Sequence, residues 1–202
     1  MALQPPDHLL VVEPAYDFQQ ILIHELSQQM ACQVNAATIE QLKRTPSLAE
    51  GALVIATAYH VPKIKKLISS EIPIVTINLH SREEESQLLK ELPVGAIVGL
   101  ISVGSTVLEY AQVMIASLRG EDLLVSPSLF SDTKQWKRIA RTADLVIADS
   151  YCHEEVAAKA TRPVIKLQLI APKIVRYLKT NLKKGVSQEK TCSSVELDLV
   201  DQ

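Results

Sequence analysis

The sequence predicts an α/β protein in which helices cover parallel β-sheets. Hydrophobic residues make up 47% of the 202 residues and aromatic residues only 4%, so the core must be built from aliphatic side chains. Short apolar runs alternate with longer amphipathic segments, and the apolar runs begin about every 20 to 25 residues. This alternation is typical of repeated βα units, whose right-handed crossovers produce parallel strand pairing.

The apolar runs predict eight strands. Those containing Leu53-Val54-Ile55 and Leu145-Val146-Ile147 are continuously apolar, as expected of strands buried on both faces. About 200 residues is the lower limit for an eight-stranded barrel, so two side-by-side sheets of four strands are favoured. The predicted strands are Leu9–Glu13, Cys32–Ala37, Ala52–Ala58, Ile74–Leu79, Ala96–Ser102, Asp122–Ser126, Leu145–Asp149 and Val164–Leu169.

Amphipathic segments between these runs predict helices. Asp17 and Thr38 are suited to cap helix starts, and Gly120 is suited to end a helix because it tolerates a left-handed conformation. The predicted helices include Asp17–Met30, Ser105–Arg119, Thr133–Thr142, His153–Ala160 and Pro172–Leu182.

Pro93 and Gly95 interrupt the pattern midway and mark the predicted boundary between two lobes. The first lobe is expected over residues 1–93 and the second over 94–182, with the last strand and helix free to cross back to the first lobe. Residues 183–202 become polar and then acidic, which predicts a mobile tail.

Composition excludes several classes of protein. The net charge of −2 lacks the basic footprint of a nucleic-acid-binding domain, so no direct DNA binding is expected. The three cysteines are odd in number and have no C-x-x-C spacing, which favours reduced thiols and a cytoplasmic location. No apolar run reaches the roughly 18 residues that a membrane helix needs.

Polar residues follow most of the predicted strands, where open parallel sheets bind their ligands. Lysine and arginine are absent from these turns, so the pattern favours binding of a small molecule over catalysis. The candidate ligand-binding residues are Thr57, Tyr59, Asn78, Ser102, Gly104, Ser105, Thr106, Ser126 and Ser150.

The turn Ser102–Thr106 is the sharpest candidate. A small, flexible turn that opens a helix exposes backbone N–H groups, which predicts an anion site. The competing interpretation makes Ser105 a simple helix N-cap. Neither G-x-G-x-x-G nor a P-loop motif is present, so no cofactor is expected.

Three alternatives to that site stay open. Cys152 and His153 follow a strand and could serve a racemase- or lyase-like enzyme, although such racemases need a second cysteine across the cleft. His60, His80 and His153 could converge on a metal ion if their turns line one cleft, but none has a helical H-x-x-x-H partner or an acidic cluster, so no metal site is expected. A scaffold without a ligand is the third alternative. Basic residues along Thr133–Thr142 are interpreted as a solvated face.

Two stretches resemble a known family. Gly51–His60 (GALVIATAYH) and Ser105–Val125 (STVLEYAQVMIASLRGEDLLV) are similar to the C-terminal effector domain of cyanobacterial GntR-type transcription regulators of the plasmid-maintenance kind. The resemblance implies a two-lobed fold like that of type 1 periplasmic binding proteins, a homodimer, a small-molecule effector and a nitrogen-signalling protein partner. Such regulators begin with a winged helix-turn-helix. This chain instead enters its first strand at Leu9, so it is expected to be either a fragment that begins after the DNA-binding domain or a stand-alone relative that does not bind DNA itself.

Overall fold

The computed structural model describes residues 6–77 and 83–182. The strands are β1 (His8–Val12), β2 (Val34–Ala37), β3 (Ala52–Thr57), β4 (Ile74–Ile77), β5 (Ile97–Ser102), β6 (Leu124–Leu129), β7 (Leu145–Asp149) and β8 (Val164–Leu167). The helices are α1 (Tyr16–Gln29), α2 (Ile39–Arg44), α3 (Val61–Ile64), α4 (Glu83–Glu91), α5 (Ser105–Arg119), α6 (Thr133–Thr142), α7 (His153–Ala157) and α8 (Pro172–Asn181), with a 3₁₀ helix at Pro46–Ala49.

The strands form two parallel sheets of four. The first has the order β2-β1-β3-β4 and the second the order β6-β5-β7-β8. Both sheets therefore repeat one arrangement, in which two central strands carry an edge strand on either side. The predicted fold class, an α/β protein with two parallel sheets each flanked by helices, is confirmed. The likeness to periplasmic binding proteins stays a prediction.

Burial of the central strands follows from their apolar sequence. Leu53 and Val146, predicted to lie in strands covered on both faces, are 1% and 0% exposed. Helices on both faces exclude water from these strands. Their sequences therefore do not alternate between polar and apolar residues. Leu9 on β1 lies opposite Val34 on one side and Leu53 on the other.

The first and last residues of strand β6 were predicted wrongly. It runs from Leu124 to Leu129, not from Asp122 to Ser126, and it continues through Pro127. Proline lacks the N–H that a strand residue donates to a neighbouring strand, so it is rarely found inside an inner strand. Because β6 lies at the edge of its sheet and pairs with β5 alone, it tolerates proline.

Local sequence features predicted most helix ends correctly. Thr38 caps α2 through a reciprocal pair of bonds with Gln41, and Gly120, at φ +58°, ends α5. Asp17 is not the N-cap of α1, because that helix begins after Ala15.

The interior is divided into three hydrophobic clusters. One cluster covers the outer face of each sheet, beneath α2 and α3 in the first and beneath α6 and α7 in the second. The third cluster joins the inner faces of both sheets through α1, α5 and α8. Strand β8 stays beside β7 in the second sheet and does not cross back. The two sheets thus share one aliphatic core.

Three sequence predictions lie beyond the described residues: the candidate Asn78, the histidine His80 and the tail 183–202. Within the described ranges, no helix combines the length and hydropathy that crossing a membrane requires.

Candidate functional site: the joint between the two sheets

The carboxyl ends of the central strands β5 and β7 are tied together by one buried carboxylate. Asp149 is 1% exposed. Its Oδ2 accepts hydrogen bonds from the Ser102 hydroxyl (2.6 Å) and the Val103 N–H (2.7 Å). Its Oδ1 accepts from the N–H groups of Tyr151 (2.8 Å) and Cys152 (3.0 Å). Each oxygen is used twice, so this carboxylate holds the turn in place and leaves little capacity for a ligand.

The first sheet has a counterpart at the same edge. Glu13, directly after β1, accepts a hydrogen bond from the Thr57 N–H through Oε1 at 2.5 Å, and its Oε2 lies 3.6 Å from His60 Nε2. Burial raises the pKa of the Glu13 carboxyl, while the bond from Thr57 and the nearby His60 oppose that rise. In both sheets an acidic side chain therefore connects the ends of the two central strands.

The start of α5 is occupied by a carboxylate from the first half of the chain. Asp17 Oδ2 accepts from the Thr106 N–H at 3.0 Å, and Oδ1 accepts from the Thr106 hydroxyl at 3.1 Å. A Cβ on Gly104 would lie 2.6 Å from Asp17 Oδ2, so glycine is needed for this approach. Ser105 is not the N-cap. That position belongs to Gly104, and Ser105 is exposed.

Helix α1 crosses the carboxyl edge of the second sheet. Asp17 reaches Thr106 beyond β5, the His24 ring lies 4.9 Å from the Tyr151 ring beyond β7, and Glu25 reaches Leu169 beyond β8. The span from Asp17 to Glu25 is about 12 Å along a helix, close to the roughly 10 Å between strands two places apart. The edge at which a ligand was expected is therefore covered by α1.

Glu25 makes the buried contact between α1 and the second sheet. Its carboxylate, 2% exposed, accepts from the Leu169 N–H (3.0 Å) and the Ile170 N–H (2.9 Å). Burial raises the pKa of Glu25, and the bond from Leu169, the nearby Ser150 hydroxyl and the bond from Ile170 lower it in turn. The Ser150 hydroxyl is itself buried and makes no hydrogen bond of ordinary geometry within the described part of the chain.

The predicted site residues separate into two groups. One group lies at the carboxyl ends of the strands, in contact with or beside the carboxylates described above: Thr57, Ser102, Gly104, Thr106 and Ser150.

The remaining candidates are not gathered there. Tyr59 is 79% exposed and contacts His60 edge-on. Ser126 lies inside β6 opposite Gly99, three residues before the end of the strand, so its predicted place after the strand was wrong.

Four acidic residues at the carboxyl edges of the two sheets were not among the predicted site residues. Glu13 and Asp149 each end an apolar run, and that position was a usable signal. Asp17 and Glu25 lie in an ordinary amphipathic helix, where no local pattern distinguishes them from solvent-exposed acids.

The chemistry of Cys152 disfavours the enzymatic alternative. Its thiol is buried, lies 3.6 Å from the Ile101 carbonyl oxygen, and has its pKa raised by burial and by the adjacent Asp149 carboxylate. A thiol of this kind stays protonated at neutral pH and is a poor nucleophile. His153 Nε2 lies 3.3 Å from the Val164 carbonyl oxygen. The described ranges contain no group of three His, Cys, Asp or Glu residues placed to hold a metal ion.

A groove of about 540 Å³ lies at the opposite, amino edge of the first sheet. It is lined by residues before β4, among them Lys65, Ser69 and Pro73. Its position separates it from every candidate residue above.

The fold and these contacts define a class: an α/β domain of two repeated halves, which the half-buried Asp17 and the buried Glu25 of α1 connect. Residues 84–177, which contain all four strands of the second sheet, match the family described as cyanobacterial PlmA-type GntR regulator, C-terminal domain. The resemblance predicted from the sequence is thus confirmed over residues 84–177, which include Ser105–Val125 but not Gly51–His60; this stretch is similar to the C-terminal domain of GntR-type regulators. No curated protein matches the chain.

Proposed function

We propose that the chain is a non-enzymatic sensing and dimerisation domain of transcription-regulator type. Its signal is a small polar or anionic metabolite or a regulatory protein, of the nitrogen-signalling kind that the family resemblance implies. The regulator family supports this proposal. One contact also supports it: the Asp17 carboxylate accepts hydrogen bonds from the first turn of α5.

That contact suggests how a signal would act. The N-terminus of a 15-residue helix favours negative charge, and here the charge comes from the other half of the molecule. An anionic effector, or an acidic group on a partner, would take the place of Asp17 at Thr106. The halves would then lose one of the contacts that set their relative orientation. The cytoplasmic location stays a prediction.

Asp17→Asn is expected to lower stability by about 1 kcal/mol, because the helix start loses a charged cap. The same change is expected to increase the stabilisation of the protein by inorganic phosphate, since the internal competitor is weakened. The measurement is the shift in melting temperature with phosphate concentration, compared with wild type.

Asp132→Asn is the matched control. Asp132 caps α6 of its own half by accepting from the Gln135 N–H at 3.0 Å. Phosphate shifts that are equal in the Asp17 and Asp132 variants would rule out competition at α5.

Dimerisation is proposed to use the outer side of α5. Val113 on this helix is 69% exposed, although Met114 and Ile115 beside it are buried in the shared core. Val113→Arg is expected to convert a dimer to a monomer, because it places an unpaired charge in an apolar contact. Sedimentation velocity measures this directly. Val94→Arg, at a site 75% exposed in the loop before β5, is the control, and equal behaviour of the two variants contradicts this surface.

The shared core favours a second candidate, an interaction scaffold without a small ligand. Side chains of α1, α5 and α8 fill the space between the sheets. If a panel of carboxylates, phosphates and nucleotides leaves the melting temperatures of wild type and Asp17→Asn unchanged, the scaffold replaces the metabolite sensor.

A further inference from the structure

The outer helical layer of the second sheet carries a cationic stripe. Lys134, Arg138 and Arg141 are exposed at helical spacing along α6, while Trp136 and Ile139 face the core. Three exposed cations at positions i, i+4 and i+7 lie on one side of a helix and form a line about 10 Å long.

The stripe continues beyond α6. The Thr161 hydroxyl donates to the Arg141 carbonyl oxygen at 3.0 Å, so exposed Arg162 and nearby exposed Lys159 extend the positive surface. We call Lys134, Arg138, Arg141, Lys159 and Arg162 the α6 stripe.

Among the side chains that the structure describes, in residues 6–77 and 86–182, no acidic oxygen lies within 4.0 Å of a cation of the α6 stripe. Arg138 donates to the amide oxygen of Gln135. The acids that flank α6 in sequence bond to backbone groups: Asp132 accepts from the Gln135 N–H at 3.0 Å, and Asp144 accepts from the Ile97 N–H at 2.9 Å. The stripe is thus a positive surface without a partner in the described chain.

The same chain contains a segment of complementary charge. Residues 195–201 read Val-Glu-Leu-Asp-Leu-Val-Asp, with three acidic residues and no basic one. In an extended chain Glu196 and Asp201 lie about 16 Å apart. That length matches the α6 stripe from Lys134 to beyond Arg141.

The place where the described chain ends makes the contact reachable. Helices of βα units run antiparallel to their strands, so the ends of α6, α7 and α8 lie at the same, amino edge of the second sheet. Leu182 follows α8 at that edge. From residue 182 to residue 196 an extended chain spans up to about 46 Å. Passing from the inner to the outer helical layer requires on the order of 20–25 Å, two helix diameters.

We propose that the acidic segment 195–201 binds the α6 stripe of its own chain. In this position the segment covers the basic surface and makes it inaccessible to an acidic partner. Tail binding and effector binding use different surfaces, because the α6 stripe lies on the outer helical layer of the second sheet, whereas α1 crosses the carboxyl edge of that sheet.

The test is a spin label on Cys192, three residues before the acidic segment, in the full chain. Cys152 is buried with a raised thiol pKa and so resists labelling. Labelled Cys192→Ser protein supplies the background from Cys32. Amide signals of α6 are expected to broaden at about 0.05 M salt and to recover at about 0.5 M, where the charges are screened within about 4 Å.

Neutralising the tail alone, as E196Q/D198N/D201N, leaves the described residues unchanged and is expected to abolish the broadening. Helix α2 is the control, because it also ends in exposed basic residues, Lys43 and Arg44, but covers the first sheet.

Charge exchange gives an independent check. R138E/R141E is expected to abolish the broadening, and adding E196K/D198K/D201K is expected to restore it. Broadening that survives tail neutralisation, or that is absent from wild type, overturns the proposal. Broadening in a mixture of labelled chains and unlabelled ¹⁵N chains would assign the stripe to the tail of a second copy and overturn binding within one chain.

Discussion

Asp149→Ala is expected to lower the free energy of unfolding by about 3–5 kcal/mol. The substitution removes the acceptor for four donors at the end of β7 and leaves three backbone N–H groups at least partly buried without partners. Each unsatisfied group costs about 1–3 kcal/mol, and the costs are not additive because the turn relaxes. Urea unfolding followed by circular dichroism measures the change.

Two variants make this prediction specific. Asp149→Asn keeps one acceptor oxygen and is expected to cost less than the alanine variant. Asp144→Ala removes a carboxylate that accepts one exposed bond, from Ile97, and is expected to cost less than about 1 kcal/mol. Similar losses in Asp149→Ala and Asp144→Ala would show that the carboxylate does not organise the carboxyl edge.

Glu25→Ala is expected to cost about 2–4 kcal/mol, because the Leu169 and Ile170 N–H groups remain buried after their acceptor is removed. Glu25→Gln is expected to cost less, since the amide oxygen still accepts a bond and carries no charge to bury. Hydrogen exchange at Leu169 and Ile170 is expected to quicken in the alanine variant. Exposed Glu109→Ala on α5 is the control and should change neither quantity.

The raised pKa of Glu25 adds a pH dependence of defined sign. A carboxyl whose pKa is higher in the folded state than its ordinary value of 4.5 binds its proton more tightly when folded. Its contribution to stability is therefore fully present below about pH 4.5 and is lost as the pH rises through the folded-state pKa. Wild type should lose stability relative to Glu25→Gln across that window. A constant difference between the two proteins would contradict this assignment.

The elements that the sequence alone determined are those governed by local rules. Continuous aliphatic runs identify the strands of a sheet covered on both faces, and the Thr38 cap and Gly120 end mark helix boundaries through bonds made within a few residues. The regulator-family resemblance also rests on local strings, and it is confirmed over residues 84–177.

Local rules were insufficient where the role of a residue depends on its neighbours in space. Pro127 is tolerated because β6 is an edge strand, and strand order is a property of the whole sheet. Asp17 has the sequence features of an N-cap for its own helix, yet it caps α5, 89 residues away. Glu25 resembles a surface acid of an amphipathic helix, but the second sheet packs over it.

The sequence by itself therefore determined an aliphatic α/β protein with polar turns after its strands. Only the tertiary structure decided that the chain's own carboxylates occupy several of those turns, among them the start of α5. The physical reason is that a helix N-terminus attracts negative charge from any source, and local sequence does not reveal which source lies nearest.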